Sequence, residues 1–218
     1  MEKKEKIKLP KYTLGEELMS SISHGIGALL SVTALVLCIV FAVIGDNALG
    51  VVSGIVYGIT LIVLYTCSCI YHALKPNRAK KVFRILDHCS IFLLIAGSYT
   101  PFLLITIGGV KGIIMLIIMW LSAILGIVIN SINLEKFKKI SMILYLVMGW
   151  MIIFSIKQIF QTLPTLGFVF LLLGGVVYTV GAIVYGVGKK IKYLHSVWHF
   201  FVLGGSVFQF FTILLYVI

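Results

Sequence analysis

Seven stretches of this 218-residue chain are nearly continuous apolar runs, at 22–44, 48–74, 82–107, 112–130, 140–157, 163–187 and 193–218. Each approaches or exceeds the ~20 residues that a helix needs to cross ~30 Å of hydrocarbon. The fourth and fifth runs are the shortest. Between the runs lie only brief polar connectors: "GDN", "KPNRAKK", "GGVK", "NLEKFKK", "KQIFQTLP" and "GKKIK". The pattern predicts an all-α integral membrane protein, a compact seven-transmembrane helix bundle occupying residues 22–218. Residues 1–21 read as a polar amino-terminal tail without the pattern of a cleavable signal peptide.

Composition agrees with this picture: 61% of residues are hydrophobic and only 11% are charged. The formal charge of +11 would suggest a nucleic-acid partner in a soluble protein, but here it reports membrane orientation and no nucleic acid is expected. Lys3, Lys4, Lys6, Lys8 and Lys11 precede the first run, and Lys75, Arg78, Lys80, Lys81 and Arg84 lie at the junction of the second and third. Lys136, Lys138 and Lys139 separate the fourth and fifth, and Lys189, Lys190 and Lys192 separate the sixth and seventh. Sixteen of the eighteen basic residues thus fall on one side, leaving Lys111 and Lys157 on the other. By the positive-inside rule the amino terminus is cytoplasmic and the carboxyl terminus is outside, with the chain multi-pass in the cell membrane.

Two features bear on packing. Gly50, Gly54 and Gly58 form a small-residue stripe that lets a neighbouring helix approach. Pro101 is expected to kink the third span near its middle and free a carbonyl. The four cysteines (Cys38, Cys67, Cys69 and Cys89) form no CxxC pair and read as small buried hydrophobes.

Mapped onto this topology, all five histidines (His24, His72, His88, His195 and His199) fall at the cytoplasmic ends of spans one, two, three and seven. Asp87 joins them as the one acidic residue expected inside such a helix end. His195 and His199 are spaced i, i+4 and share a helix face, as do Ser68 and His72. Asp87 and His88 are about 100° apart on a helix, so if Asp87 faces the centre His88 packs sideways. Neutral imidazoles are ligands that zinc selects, and catalytic zinc takes three protein ligands plus water. His72, His195 and His199 would supply three nitrogens. Asp87 would either hold the water or act as a fourth ligand, and Ser68 would hydrogen-bond the water or a substrate carbonyl. Cys69, three residues before His72, is a weaker substitute ligand.

Four stretches carry a resemblance: "LGEELMSSISHGIGALLS", "YTCSCIYHAL", "RILDHCSIFLLIAGSYTPF" and "LHSVWHFFVLGGS". In order, spacing and placement they resemble the hemolysin III family, the bacterial branch of the progestin and adipoQ receptor group. One departure is that the family commonly has Asn where this chain has Ser20. The resemblance implies a seven-helix protein holding zinc near the inner leaflet through His72, His195 and His199. It also implies that Asp87 partners the water on the metal and that Ser68 supports the ligands from behind. The receptor members are linked to ceramide hydrolysis, and the bacterial members carry a name from cytolysis.

Three functions follow as expectations. The first is a metal-dependent hydrolase acting on a membrane lipid amide or ester, with Asp87 as general base. The second is a receptor or sensor in which zinc ties spans two, three and seven together. The third is a cytolytic pore former. A conducting path would need polar groups across the whole thickness, whereas mid-span positions offer mainly Ser53, Tyr57, Thr60, Ser98, Thr100, Tyr178 and Gln209. The hydrolase is therefore the leading expectation.

Overall fold

A computed structural model of the chain describes residues 9–188 and 191–218. Lys3, Lys4, Lys6, Lys8, Lys189 and Lys190 lie outside the described residues. Among the described residues, every regular element is helical: α1 (Leu14–Ile44), α2 (Ala48–Ala73), α3 (Arg78–Pro101), α4 (Gly109–Gly149), α5 (Ile156–Thr162), α6 (Thr165–Val187) and α7 (Leu194–Tyr216). Side-chain caps set several starts, because the first backbone N–H groups of a helix have no partner within it. Thr13 and Glu16 form a reciprocal capping box at α1. Asn47 and Asn77 accept from Gly50 N and Lys80 N at the starts of α2 and α3.

Six segments are long and apolar enough to cross a membrane. The longest runs 54 residues, from Gly109 to Thr162. As one straight helix it would extend about 80 Å, far beyond the ~30 Å hydrocarbon core. It is not straight. Asn133 has extended backbone angles (φ −159°, ψ 93°) inside α4, and its side chain accepts from Lys136 N, capping the arm that follows.

The two arms then fold back side by side. Ser141 donates to Asn130 at 2.5 Å, and Asn130 donates to Tyr145 at 3.4 Å. Further along, Ser155 donates to Met115 Sδ at 3.2 Å, and Lys111 donates to the Phe154 carbonyl. The arms correspond to the fourth and fifth apolar runs, whose polar connector carries the reversal. Beyond the second arm a short 3₁₀ turn (Met151–Ser155) leads into α5.

Pro101 lies late in the third span rather than near its middle. There α3 passes into a π-helical turn (Phe102–Ile107), because the missing proline N–H loosens the hydrogen-bond ladder. The glycine stripe of α2 packs as expected: Gly50, Gly54 and Gly58 face Ala42, Cys38 and Leu35 of α1. Lower in the bundle Tyr65 and Tyr178 both hydrogen-bond Ser206, joining α2, α6 and α7 around one hydroxyl.

Candidate metal centre

The starts of α1, α3 and α7 meet the end of α2 at one end of the bundle. His72 occupies the last turn of α2 and is 2% exposed, while His199 is fully buried one turn inside α7 from His195. The three rings form a nearly regular triangle. Centroids are 4.8 Å apart for His72–His199, 5.0 Å for His195–His199 and 5.3 Å for His72–His195. One ligating nitrogen from each ring lies within 4.8 Å of the other two.

The residues fit an ion on two further counts. His195 Nε2 stands 3.3 Å from His199 Nε2. Two nitrogens at ~2.0–2.1 Å from one tetrahedral zinc are separated by about 3.3–3.4 Å, so the pair already has a shared-ion spacing. His72 Nε2 is buried and has no hydrogen-bond partner. Buried polar atoms are normally paired, and a bare imidazole nitrogen beside two others has the chemistry of a ligand.

Asp87 and Ser68 come to the same place. Asp87, on α3, is 3% exposed and lies near His72 and Arg84, with the fully buried Ser68 hydroxyl beside it. Arg84 itself pairs with Glu135 at 2.6 Å. His88 turns sideways as its position beside Asp87 requires. Its Nδ1 donates to the Arg84 carbonyl at 2.9 Å, and its ring reaches toward Tyr185.

His24 is packed against the triangle without joining it. Its ring is 4.0 Å from that of His199, and its Nε2 faces the His199 carbonyl at 3.3 Å. Since a carbonyl only accepts, Nε2 is the protonated nitrogen there. Cys69 faces away, toward Ser21 on α1.

The sequence reading missed the amino-terminal wall of this site. Asp87 is not the one acidic residue at these helix ends, because α1 begins at Leu14, eight residues before the apolar run. That extension carries Glu16 and Glu17 into the site. Glu17 Oε2 lies 2.7 Å from His72 Nδ1, and its Oε1 accepts from Lys80 Nζ at 2.7 Å. Glu16 accepts from the backbone N–H of Tyr193, whose left-handed conformation (φ 64°) turns the chain into α7. Ser20, where the family commonly has Asn, donates to Ser196, which donates in turn to the Glu16 carbonyl. Tyr12 stacks on His195, with centroids 4.7 Å apart and planes at 11°. Burial pushes its phenol well above the ordinary range, so the ring that covers His195 is neutral. The capping-box spacing of Thr13 and Glu16 was the available signal for this earlier helix start.

An apolar cavity of about 180 Å³ runs from Asp87, His88 and His24 toward Trp150 and Gln209. It is lined mainly by α3, the second arm of α4, α6 and α7, with His24 of α1 and Leu64 of α2 at its inner wall.

The profile of the haemolysin-III related family matches residues 12–210. Hemolysin-3 of Bacillus cereus is 44% identical over 203 residues, covering 93% of this chain and 92% of that protein. The Hemolysin-3 homolog of Bacillus subtilis (strain 168) is 42% identical over 205 residues, covering 94% and 96%. The monocyte to macrophage differentiation factor of Homo sapiens is more distant, 26% identical over 194 residues and covering 85% and 79%. The matched span takes in every residue of the histidine triangle and its surroundings, and the chain belongs to the haemolysin-III related family of integral membrane proteins.

Proposed function

We propose that this protein is a seven-span membrane hydrolase, its amino terminus cytoplasmic, that holds zinc at His72, His195 and His199 and cleaves an amide or ester of a membrane lipid. The observation that carries this reading is a coincidence at one depth. Three convergent imidazoles stand at the same end of the bundle as Asp87, a buried carboxylate that lines an apolar cavity. The back-folded arms of α4 support seven crossings, and the sixteen-to-two division of basic residues supports the orientation.

When bound, zinc supplies Lewis acidity, lowering the pKa of water toward ~7 and polarising a carbonyl oxygen. The chain supplies the rest. Asp87 takes the proton of the attacking water at a carboxylate oxygen and returns it to the leaving nitrogen or oxygen as the acyl C–N or C–O bond breaks. Ser68 sits beside that carboxylate and orients it. The cavity takes the acyl chain and excludes bulk water, which strengthens every electrostatic contact inside.

The test is lipid turnover by the purified, zinc-loaded chain, followed by mass spectrometry on amide and ester lipids. Release of a fatty acid by wild type and not by His199→Ala is the expected result. Identical product levels from the two proteins would overturn the reading.

A further inference from the structure

His72 differs from the other two histidines in what stands behind it. Its Nε2 faces the triangle without a partner, while its Nδ1 is 2.7 Å from Glu17 Oε2. A neutral imidazole carries one ring proton, and a carboxylate can only accept. The proton therefore belongs on Nδ1, which leaves the Nε2 lone pair bare and directed at His195 and His199.

Glu17 is itself held. Its second oxygen accepts from Lys80 Nζ at 2.7 Å, and Lys80 also donates to the Leu74 carbonyl at 2.8 Å. Lys80 is 2% exposed, so the ammonium is fixed rather than waving in solvent. The carboxylate thus has one oxygen committed to each neighbour. This order, ammonium to carboxylate to imidazole, joins α3, α1 and α2 at the one ligand supplied by α2.

We propose that Glu17 is a positioning residue for the metal centre: it fixes the tautomer and ring orientation of His72, and Lys80 fixes Glu17. The proposal rests on the metal reading above. It assigns a function to two residues that the hydrolytic chemistry does not use. Outer partners of this kind raise ligand basicity, and their loss costs roughly 10–100-fold in metal affinity.

The experiment is zinc affinity by chelator competition on the purified full-length chain, beside the visible absorption of its cobalt form. Glu17→Gln replaces the carboxylate by a neutral amide of the same size, giving a weaker hydrogen bond. Glu17→Gln is expected to bind zinc about 10–100-fold more weakly, with an altered cobalt spectrum, and Lys80→Gln to show a smaller loss. A role limited to tying α1 to α3 would lower the thermal stability of the metal-free chain and leave affinity and spectrum unchanged. Affinity of Glu17→Gln within about twofold of wild type would overturn the proposal. Should that variant not fold, Glu17→Asp decides. Its shorter carboxylate cannot reach both neighbours, so unchanged affinity overturns the proposal equally. A wild-type chain that binds no zinc would overturn the metal reading and this proposal together, whereas zinc held equally by wild type and Glu17→Gln overturns this proposal alone.

Discussion

Ser141 hydrogen-bonds Asn130 at 2.5 Å although eleven residues separate them. In an unbroken helix that interval is about 16 Å along the axis, so the pair marks a reversal of the chain between the arms of α4. The reversal places the Lys136–Lys139 connector with Arg78 and Lys80, and Lys111 with Lys157, at opposite ends. Single cysteines introduced into a cysteine-free chain check this in intact cells. Cysteine at Lys111 or Lys157 is expected to react with a membrane-impermeant maleimide, and cysteine at Arg78 or Lys136 to react only after permeabilisation. Labelling of Lys136→Cys from outside would refute the seven-span orientation.

Close approach of α1 and α2 depends on Gly58. A Cβ added there would lie 2.6 Å from the Cβ and Cδ1 atoms of Leu35. Gly58→Ala therefore requires α1 to shift, and overpacking of this kind costs about 1–3 kcal/mol. Gly186→Ala is the control, since nothing lies within 4 Å of its added Cβ. Thermal unfolding in detergent is expected to drop clearly for the first and to hold or rise slightly for the second.

In the proposed reaction, substitution of Asp87 separates metal holding from proton transfer. Asp87→Asn keeps the shape of the side chain but loses its ability to take a proton. Turnover is expected to fall about 10²–10⁴-fold, the usual contribution of a general base, with zinc still bound. Loss of zinc together with activity would instead make Asp87 a fourth ligand. Metal content and lipid turnover, measured on the same preparation, distinguish the two.

Much of this was legible in the sequence because lipid imposes a simple code. Each crossing must be a long apolar helix, so α2, α6 and α7 lie almost where their apolar runs do. The histidine triangle was legible because the distribution of lysines set the depth of His72, and the i, i+4 spacing brought His195 and His199 onto one face. Glu17 was not, for a physical reason. The apolar run begins at about residue 22, whereas α1 begins eight residues earlier in polar sequence, where capping rather than hydropathy fixes the start. The stacking of Tyr12 on His195 depends on tertiary packing that no local pattern encodes. The cavity is likewise a product of how α3, α4, α6 and α7 diverge.

Elemental mass spectrometry of gently purified protein decides whether His72, His195 and His199 hold one ion. Wild type is expected to carry about one zinc per chain, as a three-nitrogen site requires. The His195→Ala/His199→Ala variant, left with one imidazole of the triangle, is expected to carry none. A wild-type chain that remains free of metal after zinc is added back, or a double variant that retains the same zinc as wild type, would contradict the account.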